Sequence, residues 1–266
     1  MGGIDRIQAA FANARSAGRA ALMPYLMGGF PDAETAAAVA GAYADAGADL
    51  IELGVPFSDP LADGPVIHAA ATRALASGAT LDSVLDGGAV VAERVPTVAM
   101  VYANMILARD PAAFAEALAE RGFAGAIVPD LPPEEAEDLS AVLAAAGLAL
   151  IPLIAPTTPP ARRKRICGAA TGFVYVVSDT RTTGERDQLP AELGELVAAT
   201  KSDAGVPVAV GFGIGTPEQA AEVGAIADGV IVGSRLVRAT GEANGAEAAA
   251  VAVAEFIAAA RAAMSG

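Results

Sequence analysis

The chain has 266 residues, of which 54% are hydrophobic and 18% are charged, and its formal net charge is −14. This composition supports a large apolar core and excludes a disordered chain, and the negative charge argues against nucleic acid or an anionic membrane as a partner. The single cysteine, Cys167, excludes a framework of internal disulfides. Because the sequence has neither a signal-peptide pattern nor an apolar run long enough to span a bilayer, we expect a cytoplasmic protein.

A repeating pattern of apolar strand, loop and helix occupies almost the whole chain. A leading helix is predicted over residues 5–15, ahead of the first repeat. Short apolar runs then predict eight strands, over residues 20–27, 50–53, 97–102, 125–128, 148–154, 172–177, 206–212 and 229–232. Helical spacing predicts helices over about 33–46, 66–76, 81–92, 111–120, 133–145, 159–169, 190–200, 217 onward, 235–239 and 246–263. Asp32 and Thr216 are predicted to cap the helices that follow them, and proline stands at several other helix starts.

Eight strands, each followed by a helix, are typical of a (β/α)8 barrel, whose strands are apolar because helices cover the sheet. We therefore predict an α/β fold, a (β/α)8 TIM barrel whose extra N-terminal helix could plug the bottom. No linker divides the sequence, so residues 1–266 are expected to form a single domain. A doubly wound open sheet is the alternative, but it does not require eight units, and Gly28-Gly29 does not supply its glycine-rich fingerprint.

Two carboxylates stand at the end of the second predicted strand, where barrels carry their active sites. Alternation along the strand places Glu52 opposite Ile51 and Leu53, facing the barrel mouth. Burial there would raise its pKa and suit it to acid-base catalysis, whereas the alternative role is a structural ion pair. Asp63, in a loop bounded by prolines, is predicted to accept a hydrogen bond from substrate. Asp59 is the competing choice, but its sequence is that of a structural turn.

Glycines follow the last two predicted strands, which is where barrels often bind phosphate. The run 211–215 reads Gly-Phe-Gly-Ile-Gly, and Gly233-Ser234 precedes the short predicted helix, while Gly184 could complete the cradle. Each glycine alone could simply serve a turn, but two clusters at these strand ends favour a phosphorylated small molecule.

The residues that other barrel chemistries require are missing from the expected places. Lys164 and Lys201, the only lysines, fall in or beside helices, which disfavours a Schiff base at the mouth. The chain has a single histidine, His68, and a single cysteine, Cys167, so the clustered ligands of a metal site are missing and no metal is predicted. His68 is interpreted as an ordinary surface or core residue. The basic run 162–165 is interpreted as a solvated helix face.

The run 52–65, ELGVPFSDPLADGP, resembles the tryptophan synthase alpha chain family, together with the segments 129–132, 211–214 and 232–234. The resemblance covers essentially the whole chain. It implies a retro-aldol lyase that converts indole-3-glycerol phosphate into indole and glyceraldehyde 3-phosphate. Glu52 would move protons between the glycerol side chain and indole C3, and Asp63 would hold the indole N–H. The residues implied for the indole pocket are Tyr25, Met100, Tyr102, Ile127, Tyr175 and Phe212, and those for the phosphate are Gly184, Gly213, Gly233 and Ser234.

The resemblance also implies a partner and a lid. The partner would be a tryptophan synthase beta chain in an α2β2 heterotetramer, docking on the loop that contains Asp59 and on residues 130–132. This chain would need no cofactor, because pyridoxal phosphate (PLP) belongs to the beta chain. The lid would include Thr183, but Arg181, in a loop that also contains Asp179, replaces the family's usual glycine. Two other functions stay open, namely a catalytically silent, ligand-responsive activating subunit and another sugar-phosphate enzyme of this fold, such as an isomerase.

Overall fold

The fold is a nearly closed barrel of parallel strands. The computed structural model describes residues 1–177, 192–211 and 213–266. Within these ranges, nine strands form one sheet in the order β5-β4-β3-β2-β1-β9-β8-β7-β6. The strands are β1 Ala21–Met27, β2 Ile51–Gly54, β3 Thr97–Met100, β4 Gly125–Ile127, β5 Ala149–Ile151, β6 Leu153–Ile154, β7 Val174–Val177, β8 Val208–Gly211 and β9 Gly229–Val232.

The ninth strand arises because Pro152 divides the fifth predicted strand into β5 and β6. Proline has no N–H group to donate to a neighbouring strand, although its carbonyl oxygen accepts a hydrogen bond from Tyr175 N at 3.0 Å. The part before Pro152 pairs with β4 and the part after it pairs with β7. The two ends of the sheet therefore meet at one residue, and the predicted (β/α)8 barrel is confirmed.

Helices surround the barrel. The α-helices within the described ranges are α1 Gly3–Ser16, α2 Ala33–Asp45, α3 Pro65–Ala76, α4 Leu81–Ala92, α5 Ala103–Arg109, α6 Pro111–Glu120, α7 Glu137–Ala145, α8 Pro160–Ala169, α9 Leu193–Asp203, α10 Pro217–Gly224, α11 Ser234–Glu242 and α12 Ala246–Ala263. The predicted caps are confirmed, since Asp32 and Thr216 accept hydrogen bonds from the first turns of α2 and α10. None of the helices described has the length and hydrophobicity needed to cross a membrane.

Helix α5 was not predicted from the sequence. Its first N–H, on Ala103, donates a hydrogen bond at 2.8 Å to the carboxylate of Asp130, which follows the next strand. A capping residue normally lies just before its own helix, so the local sequence carries no signal for this start.

The core has two layers, separated by the sheet. Ile51 and Leu53 pack in the outer layer, between strands and helices. The inner layer contains Met23 of β1 together with Ile7 and Phe11 of α1. Helix α1 therefore packs against the barrel interior, which confirms the predicted plug.

A buried ion pair holds the lower end of β1. Both carboxylate oxygens of Asp49 accept hydrogen bonds at 2.8 Å, one from the Arg19 guanidinium and one from Leu22 N. The two charged side chains are only 4% and 10% exposed. Replacing Asp49 with Ala would leave Arg19 buried without its charge partner, so the free energy of unfolding should fall by about 3–5 kcal/mol. Urea unfolding measures this loss.

The matched control is Asp45→Ala, which breaks the exposed ion pair with Arg94, where the two side chains are 72% and 49% exposed. This change should cost no more than about 1 kcal/mol. Equal losses in the two variants would contradict the structural role assigned to Asp49.

Candidate active site

Glu52 lies inside the barrel, near the carboxyl end of β2, and is 1% exposed. Strand alternation puts its neighbours into the outer core and its own side chain into the interior. In the described part of the chain neither carboxyl oxygen has a hydrogen-bonding partner, which contradicts the alternative of a structural ion pair. Burial, and then the charge of Asp63, raises the pKa of Glu52 from 4.5 to about 8. Glu52 is therefore predominantly protonated at neutral pH.

Asp63 lies in the loop between β2 and α3, close enough to Glu52 for its charge to act on that group. Burial raises the pKa of Asp63 above its ordinary value, and a hydrogen bond from the Tyr102 side chain and the charge of His68 offset only part of that rise. The two acids thus have different surroundings, since Asp63 has partners that favour the carboxylate and Glu52 has none. Such a pair can divide the roles of proton carrier and charged group.

Tyr102 holds the loop of Asp63 over the barrel mouth. Its hydroxyl oxygen accepts a hydrogen bond from Ala62 N at 3.1 Å, and its side chain also bonds Asp63. The ring of Phe57 stacks on the Tyr102 ring, with centroids 5.1 Å apart. Tyr102 was predicted only as part of the indole pocket, and this anchoring role was missed because the partners of Tyr102 lie about 40 residues away.

The predicted pocket residues that the structure describes lie on, or just after, strands β1, β3, β4 and β7. Tyr25 pairs in register with Glu52, and Met100 pairs with Gly54 on one side and with Ile127 on the other. Tyr25 and Ile127 are buried, and Met100 and Tyr175 are partly buried. The sixth predicted pocket residue, Phe212, lies outside the described residues.

Two glycines make room for tyrosines at this end of the barrel. A Cβ atom on Gly54 would overlap the hydroxyl of Tyr25, and one on Gly211 would overlap the hydroxyl of Tyr175. Each tyrosine therefore leans over the last residue of the next strand. This arrangement could not be predicted, because an apolar run does not reveal which residue on the adjacent strand needs the space that a glycine leaves.

Part of the predicted phosphate site lies beside this pocket. Gly233 occupies the N-cap position of α11, and its carbonyl oxygen accepts hydrogen bonds from Leu236 N and Val237 N at 2.9 and 3.1 Å. Ser234 begins the helix and is 6% exposed. The first N–H groups of a helix lack intrahelical acceptors and suit an anion. Gly213 has a positive φ of 42°, a conformation that favours glycine. The other predicted phosphate and lid residues, Gly184 and Thr183, lie outside the described residues, as do Asp179 and Arg181.

The remaining candidates have structural partners. The Asp59 carboxylate accepts a hydrogen bond from the Ser58 hydroxyl. In the basic run, Arg162 and Arg165 pair with Glu134, so this helix face is ion-paired as well as solvated. Arg163 pairs with Asp203, and Lys201 pairs with Asp228. Cys167 is buried, and His68 is exposed on α3.

The raised pKa of Glu52 should make stability depend on pH. Between 4.5 and about 8 the unfolded chain has lost the proton that the folded chain keeps. The free energy of unfolding should therefore fall as pH rises through this window, by up to about 1.4 kcal/mol per pH unit from this group. Urea unfolding at several pH values should show this slope in the wild type and lose it in Glu52→Gln. Identical pH dependence in both proteins would contradict the assignment.

The fold and the site define a (β/α)8 barrel with a buried carboxyl, a second carboxylate and the N-terminus of helix α11. The family model described as tryptophan synthase alpha chain matches residues 11–265. The chain belongs to the tryptophan synthase alpha chain family, and the family name places it among the enzymes of tryptophan biosynthesis.

Individual relatives agree with this assignment. The tryptophan synthase alpha chain of Prochlorococcus marinus (strain MIT 9313) is 48% identical over 237 residues, which cover 87% of this chain and 86% of the relative. That of Roseiflexus castenholzii is 45% identical over 257 residues, covering 96% and 98%. Among solved structures, tryptophan synthase of Mycobacterium tuberculosis matches with a TM-score of 0.89 at 36% identity, covering 97% of this chain and 98% of the other.

Proposed function

We propose that this chain cleaves indole-3-glycerol phosphate by a retro-aldol reaction, giving indole and glyceraldehyde 3-phosphate. The observation that carries the proposal is the state of Glu52, a buried carboxyl with two unbonded oxygens and a pKa raised to about 8. Such a group can give up a proton and take one back near neutral pH, as a carbon–carbon lyase without a metal or Schiff base requires.

Glu52 acts first as the acid and then as the base. Protonated Glu52 delivers its proton to C3 of the indole ring, which leaves a cationic C=N bond at the ring nitrogen. The bond between C3 and the side chain then breaks, and its electron pair restores the neutral ring. The hydroxyl on the departing carbon returns a proton to the Glu52 carboxylate and becomes the aldehyde. One carboxyl thus completes the cycle in its starting state.

Asp63 stabilises the charge that appears on the ring. As a carboxylate it accepts a hydrogen bond from the indole N–H, and this bond strengthens while the nitrogen is cationic. Tyr102 keeps the carboxylate in place through its own hydrogen bond.

The pocket orients the rest of the substrate. We assign the indole ring to the wall formed by Tyr25, Met100, Tyr102, Ile127, Tyr175 and Phe212. The phosphate would bind the glycines Gly184, Gly213 and Gly233 and Ser234, with Thr183 in the lid. The position of Gly233, at the N-terminus of α11, supports this assignment. A Cβ atom placed on Gly233 would lie 3.8 Å from the Cβ of Tyr25, so this helix end adjoins the pocket.

The proposal extends to the partner. A tryptophan synthase beta chain would receive the indole, in an α2β2 heterotetramer in which only the beta chain holds PLP. The docking surface includes the loop at Asp59, where Leu61 is 84% exposed, and residues 130–132. Exposure of a large apolar side chain supports contact with another protein.

We also propose that residues 1–266 form one domain and that the reaction takes place in the cytoplasm.

Product analysis tests this function. The purified chain is incubated with indole-3-glycerol phosphate, with and without a beta chain, and both indole and glyceraldehyde 3-phosphate are quantified. We expect equal amounts of the two products, at a higher rate in the complex. Absence of indole under both conditions would contradict the proposal and favour a catalytically silent activating subunit.

A further inference from the structure

Tyr25 brings a hydrogen-bond donor to the reacting end of the site. Its Cα is paired with that of Glu52 on the adjacent strand, and its side chain is 6% exposed. The hydroxyl stands over Gly54, which lies two residues beyond Glu52 on the same face of β2. This position is on the mouth side of the Glu52 backbone, where the substrate side chain enters.

The partners of this hydroxyl are incomplete. Within the described residues, the bond recorded for it is a weak one to the Met27 sulfur at 4.0 Å. The neighbouring Glu52 oxygens are unbonded too. By contrast, the Tyr102 hydroxyl is already engaged with Ala62 N and Asp63. A buried hydroxyl and a buried carboxyl therefore belong to residues paired on adjacent strands, each without a strong partner, and a group that bonds both would satisfy them.

We propose that the Tyr25 hydroxyl donates a hydrogen bond to the same substrate oxygen whose proton Glu52 removes. This inference rests on the proposed function and adds to Tyr25 a polar role beyond the indole pocket. A hydroxyl group on the substrate can donate to Glu52 while it accepts from Tyr25. Burial and the charges of Asp63 and Glu52 raise the pKa of Tyr25, so the phenol keeps its proton and remains a donor.

This bond would contribute in both directions of the reaction. During cleavage, the substrate oxygen gains negative character as its O–H proton moves to Glu52, and a phenolic donor stabilises that charge. During condensation of indole with the aldehyde, the same donor polarises the carbonyl group. Tyr25 itself gains and loses no proton in either direction.

The test compares two ligands in the complex with a beta chain, using Glu52→Gln to prevent turnover. One ligand is indole-3-glycerol phosphate, and the other is indole-3-propanol phosphate, which lacks the side-chain hydroxyls. Adding Tyr25→Phe should weaken binding of the glycerol ligand roughly 3- to 10-fold, the range for one hydrogen bond, and leave that of the propanol ligand within about twofold. With Glu52 intact, Tyr25→Phe should lower kcat about 10- to 100-fold.

Tyr43→Phe is the matched control. The Tyr43 hydroxyl is also buried, but it donates to the backbone oxygen of Tyr25 at 3.0 Å from the outer core. Its loss should not change the ratio of the two dissociation constants. An unchanged ratio in Tyr25→Phe as well would overturn the inference. The proposed function would still stand if that variant released indole from indole-3-glycerol phosphate, and it fails separately if the wild-type complex releases none.

Discussion

Glu52→Gln should lower kcat for indole release by roughly a hundredfold to ten-thousandfold, the range for loss of general acid-base catalysis. The amide matches the carboxyl group in shape but can neither give a proton to indole C3 nor take one from the side-chain hydroxyl. Since the carboxyl oxygens have no partner in the described part of the chain, the substitution leaves no other side chain unsatisfied there. The affinity for indole-3-glycerol phosphate should therefore stay within about threefold. Steady-state kinetics and equilibrium binding measure the two effects.

The control for this variant is Glu34→Gln, which makes the same change on the exposed first turn of α2. It should keep the wild-type rate. Turnover at the original rate in Glu52→Gln would remove this residue from the mechanism, whatever the reaction of the family.

Asp63→Asn should lower kcat/KM by roughly a hundredfold to a thousandfold, the range for loss of one preorganised electrostatic group. The amide can still bond the Tyr102 side chain, but it carries no charge to stabilise the cationic ring nitrogen. A second effect separates this account from simple misfolding. Because the charge of Asp63 raises the pKa of Glu52, its removal should lower that pKa from about 8. The pH dependence of kcat should therefore shift to lower pH, as the pKa of Glu52 does.

Asp86→Asn serves as the control for Asp63, since Asp86 is exposed on α4 and pairs with Arg121. Its pH–rate profile should match that of the wild type. If Asp63→Asn kept the wild-type profile and rate, the electrostatic role assigned to Asp63 would be wrong.

The parts of the structure that follow from local sequence were predictable. Continuous apolar runs revealed the strands because helices cover the sheet, and alternation alone oriented Glu52 inward. The caps of α2 and α10 were predicted because Asp32 and Thr216 precede the helices that they cap. Family resemblance then added roles for single residues, and those roles stay predictions until the variants above are measured.

The features that were missed depend on residues far apart in the sequence. Asp130 caps a helix that begins 27 positions earlier, and Tyr102 bonds a loop 40 positions before it. Likewise, glycine is needed at position 54 because the Tyr25 hydroxyl, from the adjacent strand β1, occupies the space of a side chain there. Each of these contacts depends on which distant segments the folded barrel brings together, and no local pattern encodes that.

The central claim is that a buried carboxyl on β2 holds its proton at neutral pH and exchanges it with the substrate. The most direct test is NMR titration of the chain labelled with ¹³C at the glutamate side-chain carboxyl carbons. The Glu52 resonance is assigned by its absence from Glu52→Gln. The account predicts a titration midpoint at about pH 8, whereas a midpoint near the ordinary value of 4.5 would contradict it.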